Sequence, residues 1–106
     1  MSSGRRCCAL LLILVAVASW CPRGALAADV FKGQKIYETY CESCHGARGR
    51  GGMPGAPNFT RGQALLRPDP ALLSSISDGR NAMPGYRGVL DTYQMLDVIA
   101  YIRTLR

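Results

Sequence analysis

Two cysteines separated by two residues and followed at once by a histidine, Cys41-Glu42-Ser43-Cys44-His45, constrain this chain more than any other stretch. The C-x-x-C-H spacing is the pattern for covalent attachment of a c-type haem. Carried on one turn of helix, Cys41 and Cys44 fall on the same face, where each thiol can reach a vinyl group of one porphyrin. His45 then lies against the ring and can supply the proximal nitrogen to iron. The rival chemistries are poorly served. A thioredoxin-like redox pair belongs in a βαβ context that is absent here. A zinc site needs more ligands than two cysteines and a single histidine.

That cysteine count follows from the first 27 residues, which differ from the rest. Arg5 and Arg6 precede an apolar run from Cys7 to Ala18, and Ala25-Leu26-Ala27 supplies an A-x-A cleavage signal. This is the layout of a secretory signal peptide, with a cut expected between Ala27 and Ala28. An uncleaved anchor is the alternative, but the run is short for a spanning helix. Cleavage removes Cys7, Cys8 and Cys21, so only Cys41 and Cys44 enter an oxidising compartment. Haem attachment consumes both thiols, where a bare pair would be open to disulfide formation. The expected product is periplasmic, with no membrane segment once the leader is gone.

One domain, residues 28–106, remains. A chain of that length is near the lower limit for a self-sufficient core and has no structural disulfide, so a buried porphyrin would supply missing apolar surface. Three of the thirteen Lys and Arg leave with the leader, and ten then oppose seven acidic residues. The residual charge of +3, with no basic cluster interleaved with aromatics, argues against nucleic acid binding.

Helical signals account for most of the domain. Asp29 can cap a helix from about Val30 to Cys44, with Ile36, Tyr37 and Tyr40 among its apolar positions and Gly33 in its interior. Periodicity then vanishes up to about Arg61 in a Gly-rich loop, long enough to fold around a flat ligand. Asp69-Pro70 reads as an N-cap followed by proline at the first helical position, and Gly79 as the C-terminal cap. Irregular sequence from Arg80 to Val89 contains Met83-Pro84-Gly85. Asp91 and Gln94 have the spacing of a capping box, and Met95, Val98, Ile99, Ile102 and Leu105 recur at helical spacing behind them. No period-two stretch argues a sheet, so the expected class is all-α: about three helices and long loops.

Gly33-x-x-x-Tyr37-x-x-x-Cys41-Glu42-Ser43-Cys44-His45-Gly46, then Met83-Pro84, then Val98-Ile99-Ala100-Tyr101-Ile102-Arg103 resembles a class I monohaem cytochrome c over nearly the whole domain. The resemblance implies that the first and last helices cross at Gly33, with Tyr37 against Tyr101. It also implies that a proline carbonyl after the motif fixes the free nitrogen of His45. Pro57 is the better match and Pro54 the alternative. A narrower likeness runs through Met53-Pro54-Gly55-Ala56-Pro57-Asn58-Phe59-Thr60-Arg61-Gly62, Pro70-Ala71-Leu72-Leu73 and Asp78-Gly79-Arg80-Asn81-Ala82. These segments are similar to the small periplasmic cytochromes associated with cytochrome cd nitrite reductase of denitrifying bacteria.

With no second histidine available, the distal axial position falls to a methionine: Met53, Met83 or Met95. Met53 lies only eight residues past His45, and Met95 belongs to the apolar stripe of the last helix. Met83 sits 38 residues after His45, in an irregular loop with room to cross to the distal face. His45/Met83 ligation raises the reduction potential and leaves no position open for a substrate. Asn81 and Tyr86 flank Met83, and Arg48, Arg50, Arg61, Arg80 and Arg87 offer a cationic rim for an acidic partner. The expected function is therefore a monomeric single-electron carrier with one haem c, not an enzyme, supplying cytochrome cd nitrite reductase. A maturation factor for that reductase, or a haem sensor with an open distal site, are the alternatives.

Overall fold

The computed structural model describes residues 26–106, so the expected leader lies outside the described residues apart from Leu26 and Ala27. Helix α1 spans Val30–Tyr40 and α2 spans Glu42–His45; α3 covers Asp69–Asp78 and α4 covers Thr92–Arg103. Short 3-10 turns at Ala47–Gly49 and Phe59–Arg61 punctuate the long loop between α2 and α3. Among the described residues there are no strands, only isolated bridges at Arg80/Met83 and Arg87/Leu90. The all-α expectation is met.

Local chemistry sets the helix ends. The Asp29 carboxylate accepts the amides of Phe31 and Lys32 and so satisfies two orphan donors at the start of α1. The single helix expected through Cys44 is bent at Cys41, whose φ of −116° departs from helical values. The bend does not end the helical path. The Cys41 amide still donates to the Tyr37 carbonyl, and the Cys44 and His45 amides to the Cys41 carbonyl. At α4 the capping box forms as expected: Asp91 Oδ1 accepts the Gln94 amide at 2.8 Å, and Gln94 Oε1 accepts the Asp91 amide at 2.9 Å. Leu105 lies past the end of α4 yet still packs against the core.

The expected cap at Asp69 is corrected. Pro68 occupies the N-cap position and Asp69 is already in the first turn, where its charge suits the helix dipole. Its carboxylate has a stronger claimant. Arg103 donates to Asp69 Oδ1 through Nε at 2.9 Å and again through its terminal nitrogen. The same guanidinium donates to the carbonyls of Leu65 and Arg67, so one side chain ties the approach to α3 onto the end of α4.

The core is built where α1 crosses α4. A Cβ on Gly33 would stand 1.9 Å from the Asp97 carbonyl oxygen, so only glycine permits this approach. Tyr37 packs on Tyr101 at a ring separation of 5.3 Å and a tilt of 57°, a favourable aromatic geometry. The expected crossing at Gly33 is thus present. Leu72 and Ile76 of α3 and Met95, Val98, Ile99 and Ile102 of α4 complete the buried set, with Phe59, Leu65 and Leu90 from the loops. Between these layers the helices leave a hollow.

Candidate functional site

The hollow is a cavity of about 600 Å³, within the range that holds a cofactor-sized ligand. Cys41, Cys44, His45 and Met83 all line it, as do Met53, Pro54 and Pro57. Its inner wall is apolar, formed by Phe59, Leu72, Ile76, Val98 and Ile102. Residues from Tyr37 to Ile102 are therefore brought to one space.

Cys41 and Cys44 are free thiols, both half-buried. Burial, reinforced by the neighbouring Cys44, pushes the Cys41 thiol up to about 11, so it stays protonated near neutrality. His45 is shifted the other way: burial lowers its pKa and favours the neutral imidazole, the form that binds a metal. The His45 ring stacks on Phe59 at 5.1 Å and 18°. Its Nδ1 is buried and has no hydrogen-bond partner. Pro54 and Pro57, the prolines implied as its acceptors, line the same cavity as His45. A buried ring nitrogen without a partner is costly in a finished protein core.

Each methionine has a distinct place. Met95 is buried in the core, as its position in the α4 stripe implies. Met53 is half exposed at the cavity edge, and its amide donates to the Cys44 carbonyl at 2.9 Å, which keeps it beside the motif. Met83 is partly buried and reaches the cavity from a tight turn, in which the Arg80 and Met83 backbones exchange hydrogen bonds at 3.0 Å. Gly79 and Gly85 close the base of this turn. A Cβ on Gly79, whose φ is +80°, would meet the Met83 carbonyl oxygen at 2.7 Å and the Gly85 nitrogen at 2.8 Å.

Of the five arginines proposed as a rim, Arg80 lines the cavity and Arg87 pairs with Asp78 on the surface. Arg48, Arg50 and Arg61 do not line it. Sequence reasoning missed Arg67, which does. Its guanidinium is held by Ser75 Oγ at 3.1 Å and the Ala71 carbonyl at 3.2 Å. Phe59 was also missed as a support for His45. Its signal is slight: a lone large aromatic in a Gly- and Pro-rich loop. Tyr86 does not bond Met83; its hydroxyl donates to the Tyr40 carbonyl at 2.8 Å.

The donor set fits a porphyrin better than a bare ion. Among the described residues no group of three His, Cys, Asp or Glu side chains could hold a metal by itself. Two free thiols, an imidazole with an unsatisfied nitrogen and a thioether instead border one apolar cavity. The family described as "Cytochrome C oxidase, cbb3-type, subunit III" matches residues 28–102. The chain is a class I c-type cytochrome. Similar chains include cytochrome c6 of a Synechococcus species, 32% identical over 97 residues, covering 88% of this chain and 85% of that relative. Cytochrome c6 of a Nostoc species is 33% identical over 88 residues, covering 74% of this chain and 72% of the relative. The cbb3-type cytochrome c oxidase subunit FixP of Bradyrhizobium diazoefficiens is 39% identical over 80 residues, 73% of this chain but only 28% of FixP.

This cytochrome carries haem c held covalently, and its kinship places it among electron carriers that work with redox partners, not among enzymes. Among the described residues no helix is long and apolar enough to cross a membrane.

Proposed function

We propose that this cytochrome is an exported, periplasmic single-electron shuttle whose iron is held between His45 and Met83. The observation that carries the ligation is their convergence with Cys41 and Cys44 on one apolar cavity. When bound, haem c supplies a ferric/ferrous couple. The protein's part is to hold and tune it. Cys41 and Cys44 anchor the ring covalently. His45, stacked on Phe59, presents one nitrogen to iron, and ligation through Nε2 leaves an Nδ1–H for which the Pro57 carbonyl is our candidate acceptor. The Met83 thioether stabilises the reduced state. Leu72, Ile76, Val98 and Ile102 keep water from the inner face, and Arg67 and Arg80 offer guanidinium groups to the two propionates. Residues 1–27 act as a cleaved leader, which N-terminal sequencing of protein recovered from the periplasm tests directly.

The acceptor we propose is a cytochrome cd nitrite reductase in denitrification. Its support is the likeness of the 53–62 loop and the 78–82 turn to the cytochromes associated with that reductase. A second reading has its own observation: the likeness to FixP and to the cbb3-type subunit family favours a cbb3-type cytochrome c oxidase as acceptor. Stopped-flow mixing of the reduced protein with each enzyme separates them. Faster oxidation by the reductase than by a cbb3-type oxidase supports the first reading, and the reverse order overturns it.

A further inference from the structure

Among the described residues, every backbone hydrogen bond between segment 79–90 and the rest of the chain runs to α3. The turn closes on itself between Arg80 and Met83. The Tyr86 amide donates to the Ile76 carbonyl at 2.9 Å, and the Arg87 amide to the Ser77 carbonyl at 3.0 Å. Arg87 pairs with Asp78. A Cβ on Gly85 would press on the Asp78 and Ser77 backbone at 2.8 Å. All of this lies on one side of the cavity. Among the hydrogen bonds of the described residues, only Tyr86 Oη to the Tyr40 carbonyl, at 2.8 Å, joins segment 79–90 to the helix end that carries Cys41. The two rings reinforce it, meeting edge to face with centroids 6.0 Å apart.

We infer that the Tyr86 hydroxyl is a latch that positions Met83, by closing its loop across the cavity onto the end of α1. Only Pro84 and Gly85 separate Met83 from Tyr86, and Pro84 has its φ fixed by its ring. The thioether cannot withdraw far without pulling the Tyr86 ring from Tyr40. The latch governs how often the distal side opens, while the Met83 thioether remains the ligand. This inference rests on the His45/Met83 reading, and its test separates the two.

The experiment measures imidazole binding to the ferric, haem-loaded protein by absorbance, at rising imidazole until the rate saturates. The saturating rate reports loop opening. Tyr86→Phe keeps the ring and deletes the hydroxyl, and it should raise that rate about five- to tenfold, the loss of one ordinary hydrogen bond. Arg87→Gln loosens the same segment on its α3 side and should leave the rate unchanged. An unchanged rate in Tyr86→Phe overturns the latch, as does an equal rise in Arg87→Gln, since general loosening would then suffice. Met83→Ala should bind imidazole with no saturating limit. Saturation at the wild-type rate in Met83→Ala would instead refute Met83 as the ligand.

Discussion

Gly33 of α1 and the carbonyl of Asp97 in α4 approach so closely that a Cβ at position 33 would lie 1.9 Å from the oxygen. The contact is clamped from a second point, because the Asp29 amide donates to Asp97 Oδ1 at 2.6 Å. An exposed helical glycine gains about 1 kcal/mol on becoming alanine. Here the helices must separate instead, and overpacking costs typically about 1–3 kcal/mol. Gly33→Ala should therefore lower stability by a net amount of up to about 2 kcal/mol, read from the denaturant midpoint. A stabilised variant would show that the helices can part at no cost.

Tyr37 makes the same crossing sensitive to alkali. Burial, then the neighbouring Cys41, pushes its phenol up to about 12, against an ordinary value of 10.0. The folded state thus holds the proton where the unfolded chain has lost it. The associated stability is fully present below pH 10 and is lost as pH rises towards 12. Tyr37→Phe should flatten this loss. At neutral pH it should cost about 1 kcal/mol, because the hydroxyl donates to the Gly46 carbonyl at 2.7 Å. Tyr86 and Tyr101 are also raised by burial, so the measure is the difference between variant and parent across that window.

Arg103 is fixed by geometry that lysine cannot reproduce. Its fork reaches the carbonyls of Leu65 and Arg67 and the Asp69 carboxylate together. Arg103→Lys should cost about 1–3 kcal/mol by leaving these carbonyls without donors. Asp69→Asn, which weakens only the more exposed ion pair, should cost under about 1 kcal/mol. Thermal unfolding of both variants distinguishes the two contributions; equal losses would place the whole effect in the ion pair.

What the sequence reveals here is what local chemistry controls. The caps at Asp29 and Asp91 and the stop at Gly79 are legible because donor, acceptor and turn lie within a few residues. Cys41, Cys44 and His45 are legible because their chemistry fixes their spacing. Asp69 misleads for the opposite reason: its partner, Arg103, is 34 residues away, and no local pattern announces that it will leave the cap for a guanidinium. Phe59 under His45, Arg67 in the cavity wall and Tyr86 on Tyr40 are likewise long-range. Each becomes visible only once the loops close. The bend at Cys41 is hidden too, since Tyr40-Cys41-Glu42 carries neither glycine nor proline.

The three methionines give the sharpest test of the ligation, because the structure gives each a different burden. On the proposed ligation, Met83→Ala should lower the reduction potential and change the ferric spectrum, since a thioether ligand stabilises ferrous iron. Met95→Ala should leave both unchanged, yet cost about 2–5 kcal/mol of stability by opening a cavity in the core. Met53→Ala should do neither, as its side chain is 47% exposed at the cavity edge and its backbone bond to Cys44 survives the substitution. A redox titration and a melting curve on each variant suffice. If Met53→Ala moved the potential and Met83→Ala did not, the distal ligand would have to come from the loop beside the motif. The Arg80–Met83 turn would then be a wall of the cavity with no part in holding iron.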